Sequence, residues 1–221
     1  MMMAVDQAPV DAETEARALA QVDELAARAI EWVTPIRFCV AQSAAERDAV
    51  YRMRCAAVID HGWLQLSDLP DGRERDAYDD EAVHLLARDG DTPVASARLI
   101  LPRPGLTLPT EEAFELTIEP RGQVVDAGRF VVARAHAKRE QRLFATLLAF
   151  GWLQVRARGF SRVCAAFASP AMLRMYKQMG FQITVLGPPR VYWGRERHPI
   201  LYSTAASAPA LLARWLPGEL A

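Results

Sequence analysis

The segment from Gln123 to Phe167 constrains the fold of this chain more than any other. Residues 123–132 read QVVDAGRFVV, a strand-like run. Residues 138–158 place Phe144, Leu147, Leu148, Gly151 and Val155 at helical spacing. Residues 161–167 return to a short apolar run. Strand, long helix and strand in this order predict a parallel crossover, which is right-handed in nearly all sheets. The first strand also holds an anomaly, because Asp126 and Arg129 interrupt an apolar run. Buried charges cost on the order of several kcal/mol unless paired. Side chains alternate along a strand, so these two should point opposite ways. Gly128 between them predicts a bulge that resets the alternation. Both charges would then share one face and pair. The bulge would also splay the strand from its neighbour and open a slot, where backbone N–H groups could hold a thioester carbonyl. A purely structural ion pair closing the sheet is the other reading.

The rest of the chain supplies a mixed sheet. Residues 1–10 read as disordered. Residues 11–33 form an amphipathic helix, with Leu19, Val22, Ala26, Ala29, Ile30 and Val33 in one stripe, ending before Pro35. A short strand follows at 36–41. Ser43 and Glu46 form a capping box that opens a helix over 44–58. Residues 59–81 lack periodicity and read as a long connection. Two strands at 82–88 and 93–101 join through Asp89-Gly90-Asp91 as a hairpin. That hairpin makes the sheet mixed. The proline-rich stretch 102–122 reads as loop. Ser169 and Pro170 start a short helix that Gly180 stops. Strands at 181–186 and 199–204 and a short helix at 208–216 complete the chain. The division is a disordered 1–10, a helical extension over 11–35 and one domain over 36–221.

The net charge of −1 argues against a nucleic-acid binder. Charge is nevertheless polarised. Residues 1–33 hold seven acidic and two basic residues, whereas 134–158 hold six basic and one acidic. Cys39, Cys55 and Cys164 have no metal or disulfide spacing and read as free thiols, which fits a reducing cytoplasm. No signal peptide and no apolar run long enough to span a membrane is visible.

This arrangement resembles the GNAT acyltransferase fold over roughly residues 36–204. The resemblance implies an α/β (α+β) architecture with a mixed, twisted central sheet, helices on both faces and an extra N-terminal helix. Residues 175–181, MYKQMGF, resemble a "Y-x-K-x-G-F" segment of that superfamily. Its tyrosine commonly protonates the leaving thiolate, which points to Tyr176 as general acid. A half-buried core tyrosine is the bland alternative. A narrower resemblance is to the autoinducer (acyl-homoserine-lactone) synthases and the N-acyl amino acid synthases. Residues 51–58, YRMRCAAV, resemble their "LR-x-x-x-F" helix, with Arg54 in the motif and Trp63 near the family tryptophan. Asp76 and Asp79 match "D-x-x-D", Arg98 matches the arginine of the next strand, and residues 126–130 match "E-x-x-R-F" through Asp126, Arg129 and Phe130. Each motif is short, but their order across about 80 residues is specific. Val58 replaces a phenylalanine and Asp126 a glutamate. These departures favour an amino acid or similar amine as acceptor over S-adenosylmethionine.

The loop after the strand bears on the donor. Glycine allows backbone amides to approach a pyrophosphate, as acetyl-CoA-binding relatives require. Here no glycine occurs between Gly128 and Gly151, and Arg134, His136, Lys138, Arg139 and Arg142 stand there instead. Such a basic patch suits the acidic surface and single phosphodiester of an acyl carrier protein better than coenzyme A. A solvated helix start is the bland reading. No tightly bound cofactor and no metal is expected; acyl-carrier protein, or acyl-CoA, is a co-substrate. Amide formation needs a base for the amine, and Asp126 and His84 are the candidates. Arg98 and Arg129 either bind an acceptor carboxylate or hold Asp76 and Asp79 and so order the long loop. Phe130, Phe144, Leu148, Phe167, Met172 and Met175 could line an acyl pocket. The alternatives to an N-acyltransferase are a lactone synthase using S-adenosylmethionine and a non-catalytic module that only holds an acylated carrier.

Overall fold

The structure is a computed structural model. It describes residues 11–192 and 195–215, with the side chains of 166–168 left out. The expected disordered segment 1–10 therefore lies outside the described residues, as do 216–221 and the Phe167 side chain. In chain order the elements are α1 (Ala12–Ile30), β1 (Arg37–Val40), α2 (Ala44–Asp60), β2 (Val83–Asp89) and β3 (Thr92–Ile100). Then come α3 (Pro109–Phe114), β4 (Val124–Val132), α4 (Glu140–Arg156), β5 (Arg162–Ala168) and α5 (Pro170–Gln178). The chain ends in β6 (Ile183–Val185), β7 (Arg190–Tyr192), β8 (Arg195–Tyr202) and α6 (Thr204–Trp215).

The strands form one mixed sheet in the order β1-β2-β3-β4-β5-β8-β6, with β7 paired to β8. The β4–α4–β5 crossover is parallel, as the periodicities predict. Helices cover both faces. On one face Leu143, Leu147 and Val155 of α4 pack against Leu85, Ala97, Val125 and Ala127. A Cβ at Gly151 would meet Leu85 Cδ1 at 3.1 Å, so the leucine would have to give by a few tenths of an ångström. The α1 helix lies beyond α4 and buries Val22, Leu25, Ala26 and Ala29. On the other face α2 buries Val50 against Leu86, and α3 closes a second cluster through Leu108, Ile118 and Cys164. The Ser43–Glu46 capping box is present at the start of α2. The three cysteines are free thiols.

Three local expectations change. The proline-rich stretch 102–122 holds α3, which starts on Pro109 at its first position. The strand β7 was not visible, since three residues carry no period. Arg134–Arg139 wind a separate 3-10 helix before α4 begins at Glu140. Arg134, His136, Lys138 and Arg139 therefore precede α4, whereas Arg142 lies in its first turn with Glu140.

Candidate active site

The slot forms where β4 leaves β5. The two strands pair from Val124↔Arg162 to Asp126↔Cys164 and no further. On the other side β4 stays paired with β3, but its register shifts between Arg98↔Gly128 and Ser96↔Val131. The extra residue is the expected bulge. Its left-handed residue is Arg129, at φ 55°, and not Gly128. Left-handed backbone at a non-glycine residue costs on the order of 1–3 kcal/mol, so surrounding contacts must hold it.

Those contacts are a closed ring of six charges. Arg54 grips Asp79 with two bonds, Nη1 to Oδ1 at 2.7 Å and Nη2 to Oδ2 at 3.0 Å. Its Nε donates to Glu74. Glu74 Oε1 accepts from Arg129 Nε at 3.0 Å, and Arg129 Nη2 donates to Asp76 Oδ2 at 2.9 Å. Asp76 Oδ1 accepts from Arg98 Nη1 at 2.6 Å, and the same nitrogen reaches Asp79 Oδ1 at 3.0 Å. Three guanidinium groups thus alternate with three carboxylates. Arg54, Glu74, Asp79 and Arg98 are buried, which explains why the charges must be matched one to one. The arginines hold the Asp79 carboxyl well below the usual carboxylate range, against the opposing effect of burial. The ring ties the long 59–81 connection to α2, β3 and the bulge. Of the two roles open to Arg98 and Arg129, holding the loop acids is the one observed.

The bulge brings Asp126 and Arg129 to one face of the sheet, but among the described ion pairs none joins them. Asp126 Oδ2 instead accepts the Thr110 backbone N–H at 2.7 Å, at the start of α3. Burial raises the Asp126 carboxyl, with Thr110 opposing it. A carboxyl raised by burial favours folding when protonated, and that contribution fades as pH rises above about 4, the unfolded value. Asp126→Asn, which resembles the neutral form, should therefore unfold at or above the wild-type temperature at pH 7. Its advantage should shrink toward pH 4, read by thermal melts.

The slot itself is a cavity of about 120 Å³. Ala127, Gly128, Arg129, Phe130 and Val131 of the splayed strand form one wall, and Ala165, Met172 and Tyr176 the opposite one. Arg54, Val58, Trp63 and Glu74 close it on the α2 side, with Tyr192 and Arg197 from the last hairpin. The Arg197 guanidinium lies 5.1 Å from the Trp63 ring centre. The Tyr176 hydroxyl is pushed up to about 12 by burial, partly offset by a hydrogen bond from Tyr202. A phenol so placed stays protonated at any ordinary pH. Peptide groups of β4 beyond Asp126 have no ladder partner on β5, so they are open to an extended segment inserted between the strands.

The model of the N-acyl amino acid synthase FeeM family matches residues 49–204. The chain belongs to this family. Solved structures of similar shape include BjaI, a CoA-dependent acyl-homoserine lactone synthase with SAM and isopentyl-CoA. It is 25% identical over 83% of this chain and 90% of its own, at a TM-score of 0.62. TofI, in a ternary complex with an inhibitor and MTA, is 26% identical over 79% and 96%, at 0.58. FeeM from uncultured soil microbes shares the fold at 14% identity over 80% and 96%, at 0.63. No curated protein sequence matches the chain. The family membership and the shared GNAT-like fold make this protein an acyltransferase.

Most of the residues singled out from the sequence of this acyltransferase converge on the slot or its ring. Arg54, Trp63, Arg129, Phe130, Met172 and Tyr176 line the slot, and Asp76, Asp79 and Arg98 complete the ring. His84 does not line it. Its Nε2 lies 3.0 Å from the Asp79 carbonyl and 3.4 Å from the Tyr51 hydroxyl, and burial lowers its pKa, so it is a neutral support behind Asp79. Asp126 also lies outside the lining, against α3. Phe144 stacks between Phe130 at 5.2 Å and Tyr176 at 5.9 Å, and Met175 packs in the Tyr176 cluster. Arg134, Lys138, Arg139 and Arg142 are exposed just beyond the end of the splayed strand, and among the described residues none forms an ion pair. Sequence reading missed Glu74, Tyr192, Arg197 and Tyr202. Among the described residues no His, Cys, Asp or Glu cluster could hold a metal, and no helix is long and apolar enough to cross a membrane.

Proposed function

We propose that this acyltransferase moves a fatty acyl group from a carrier-protein phosphopantetheine thioester to the amine of an amino acid. The observation that carries the reading is the slot between β4 and β5, with Tyr176 on one wall and the charge ring behind the other. The thioester carbonyl would accept from the unpaired β4 peptide groups, which stabilise the oxyanion as the amine attacks. Tyr176 then gives its proton to the departing thiolate, and Tyr202 supports it. The incoming amine loses its proton to water, with Asp126 reached only by relay past Gly128. An acceptor carboxylate suits a wall that carries Arg197 beside Trp63. The exposed cluster Arg134, Lys138, Arg139 and Arg142 stands where the carrier's acidic surface would dock, and such partners occupy a reducing cytoplasm.

A second reading rests on BjaI, whose structure holds SAM and isopentyl-CoA. The test separates them. Acyl-carrier protein or acyl-CoA is supplied with pooled amino acids or with S-adenosylmethionine, and products are read by mass spectrometry. Release of free thiol with an N-acyl amino acid supports the proposal, and lactone from S-adenosylmethionine favours the second reading. Tight carrier binding without any product would mark a non-catalytic module. In the same assay, Arg139→Glu with Arg142→Glu should raise KM for carrier-borne donor about tenfold while leaving small pantetheine thioesters unaffected. Asp126→Asn should slow turnover if the relay operates; full activity would leave Asp126 as an anchor of α3.

A further inference from the structure

A second cavity lies across the sheet from the charge ring, between β4, α4, α1 and α6. Its volume is about 120 Å³. Ala127 and Phe130 line both this cavity and the slot, so the two adjoin at the splayed strand. Its walls are apolar and kept small by Ala26, Ala29, Ala145, Ala149 and Gly151. Protein interiors are otherwise close-packed, with few voids larger than a water. Apolar cavities stay dry, and one of about 150 Å³ holds benzene. By that measure this one takes a hydrocarbon segment of about four to five carbons.

The far wall lies outside the family match. The family match ends at residue 204 and begins at 49, whereas α1 and nearly all of α6 lie outside it. Val22, Leu25, Ala26 and Ala29 face the cavity from α1, and Leu211 faces it from α6. Trp32 and Trp215 stack at 5.6 Å where the two helices meet. The wall is also latched. Asp23 Oδ1 accepts from Trp152 Nε1 at 2.7 Å, and Arg156 Nε lies 3.2 Å from the same carboxylate. These contacts fix how close α1 stands to α4.

We propose that α1 and α6 form the far wall of the acyl-tail cavity, so that Leu25, Ala26 and Ala29 set the acyl chain length this enzyme accepts. The proposal rests on the acyl-transfer reading for what enters the slot. Turnover is compared for a dodecanoyl and a butanoyl donor. One methylene in an apolar pocket is worth about tenfold or more in selectivity. Ala26→Phe should therefore cut the long-to-short rate ratio by at least about tenfold, and Leu25→Ala should raise it. An unchanged ratio in both variants overturns the proposal. A binding arm needs no turnover. A pantetheine thioether whose alkyl chain carries bromine at its methyl end should quench the fluorescence of Trp32, Trp152 and Trp215, all of which line the cavity. That quenching should be lost when all three are replaced, as Trp32→Phe, Trp152→Phe and Trp215→Phe together. Binding without quenching overturns the tail's placement. Quenching in a protein that acylates no amine would support the wall while removing the acyl-transfer reading.

Discussion

Replacing Arg54 with methionine should cost the fold about 3–5 kcal/mol, the usual effect of removing one partner from a buried charge cluster. The cause is specific to the ring. Arg54 supplies two bonds to Asp79 and one to Glu74, and all three side chains are buried. Methionine fills the space but leaves two carboxylates facing one another with only Arg98 and Arg129 between them. Domains are stable by about 5–15 kcal/mol, so the variant should lose about a fifth or more of its margin in urea unfolding. The pH dependence identifies the cause. Asp79 has a depressed folded pKa, so its contribution is present above the unfolded value of about 4 and lost as pH falls below it. The gap between wild type and variant should be full at pH 7 and narrow at pH 3. A gap that stays constant between pH 7 and pH 3 would assign the loss to packing instead. A gap near zero at pH 7 would mean that the ring does not hold the loop.

The ring also marks how far the sequence could be read. Arg54, Asp76, Asp79, Arg98 and Arg129 were legible because their order along the chain resembles a known pattern. Glu74 was not, because it sits between Arg73 and Arg75 in a stretch that looks like a solvated loop. Only the fold brings its carboxylate to two guanidinium groups from α2 and β4. The bulge was legible from a glycine inside a charged strand. Its strained residue was not, since the ring rather than glycine's freedom holds Arg129 at φ 55°. Asp126 was assigned to Arg129 because α3 has six residues and no readable period, and it supplies the N–H that Asp126 accepts. Local signals, by contrast, carried through. The Ser43 capping box and the Ser169 cap of α5 depend on neighbouring residues alone, and the β4–α4–β5 crossover follows from the periodicity of three consecutive segments.

Tyr176→Phe should lower turnover by about 10²–10⁴-fold, the range for a lost general acid. The ring of the side chain is held by Phe144, Phe181 and Tyr202, so phenylalanine keeps the packing. Only the hydroxyl is lost, which leaves Tyr202 without its partner at a cost of about 1–3 kcal/mol. Stability and rate therefore separate. Because burial lifts the Tyr176 hydroxyl to about 12, it is protonated throughout pH 6–10. The wild-type rate should show no tyrosine limb in that window. The variant must expel the thiolate unaided, so its defect should depend on the leaving group. An aryl thioester, whose thiol is far more acidic than pantetheine, should recover most of the lost rate. A merely structural tyrosine would slow both donors alike. Equal rates for wild type and variant on pantetheine thioesters would remove Tyr176 from the chemistry and leave the slot to work through its backbone groups alone.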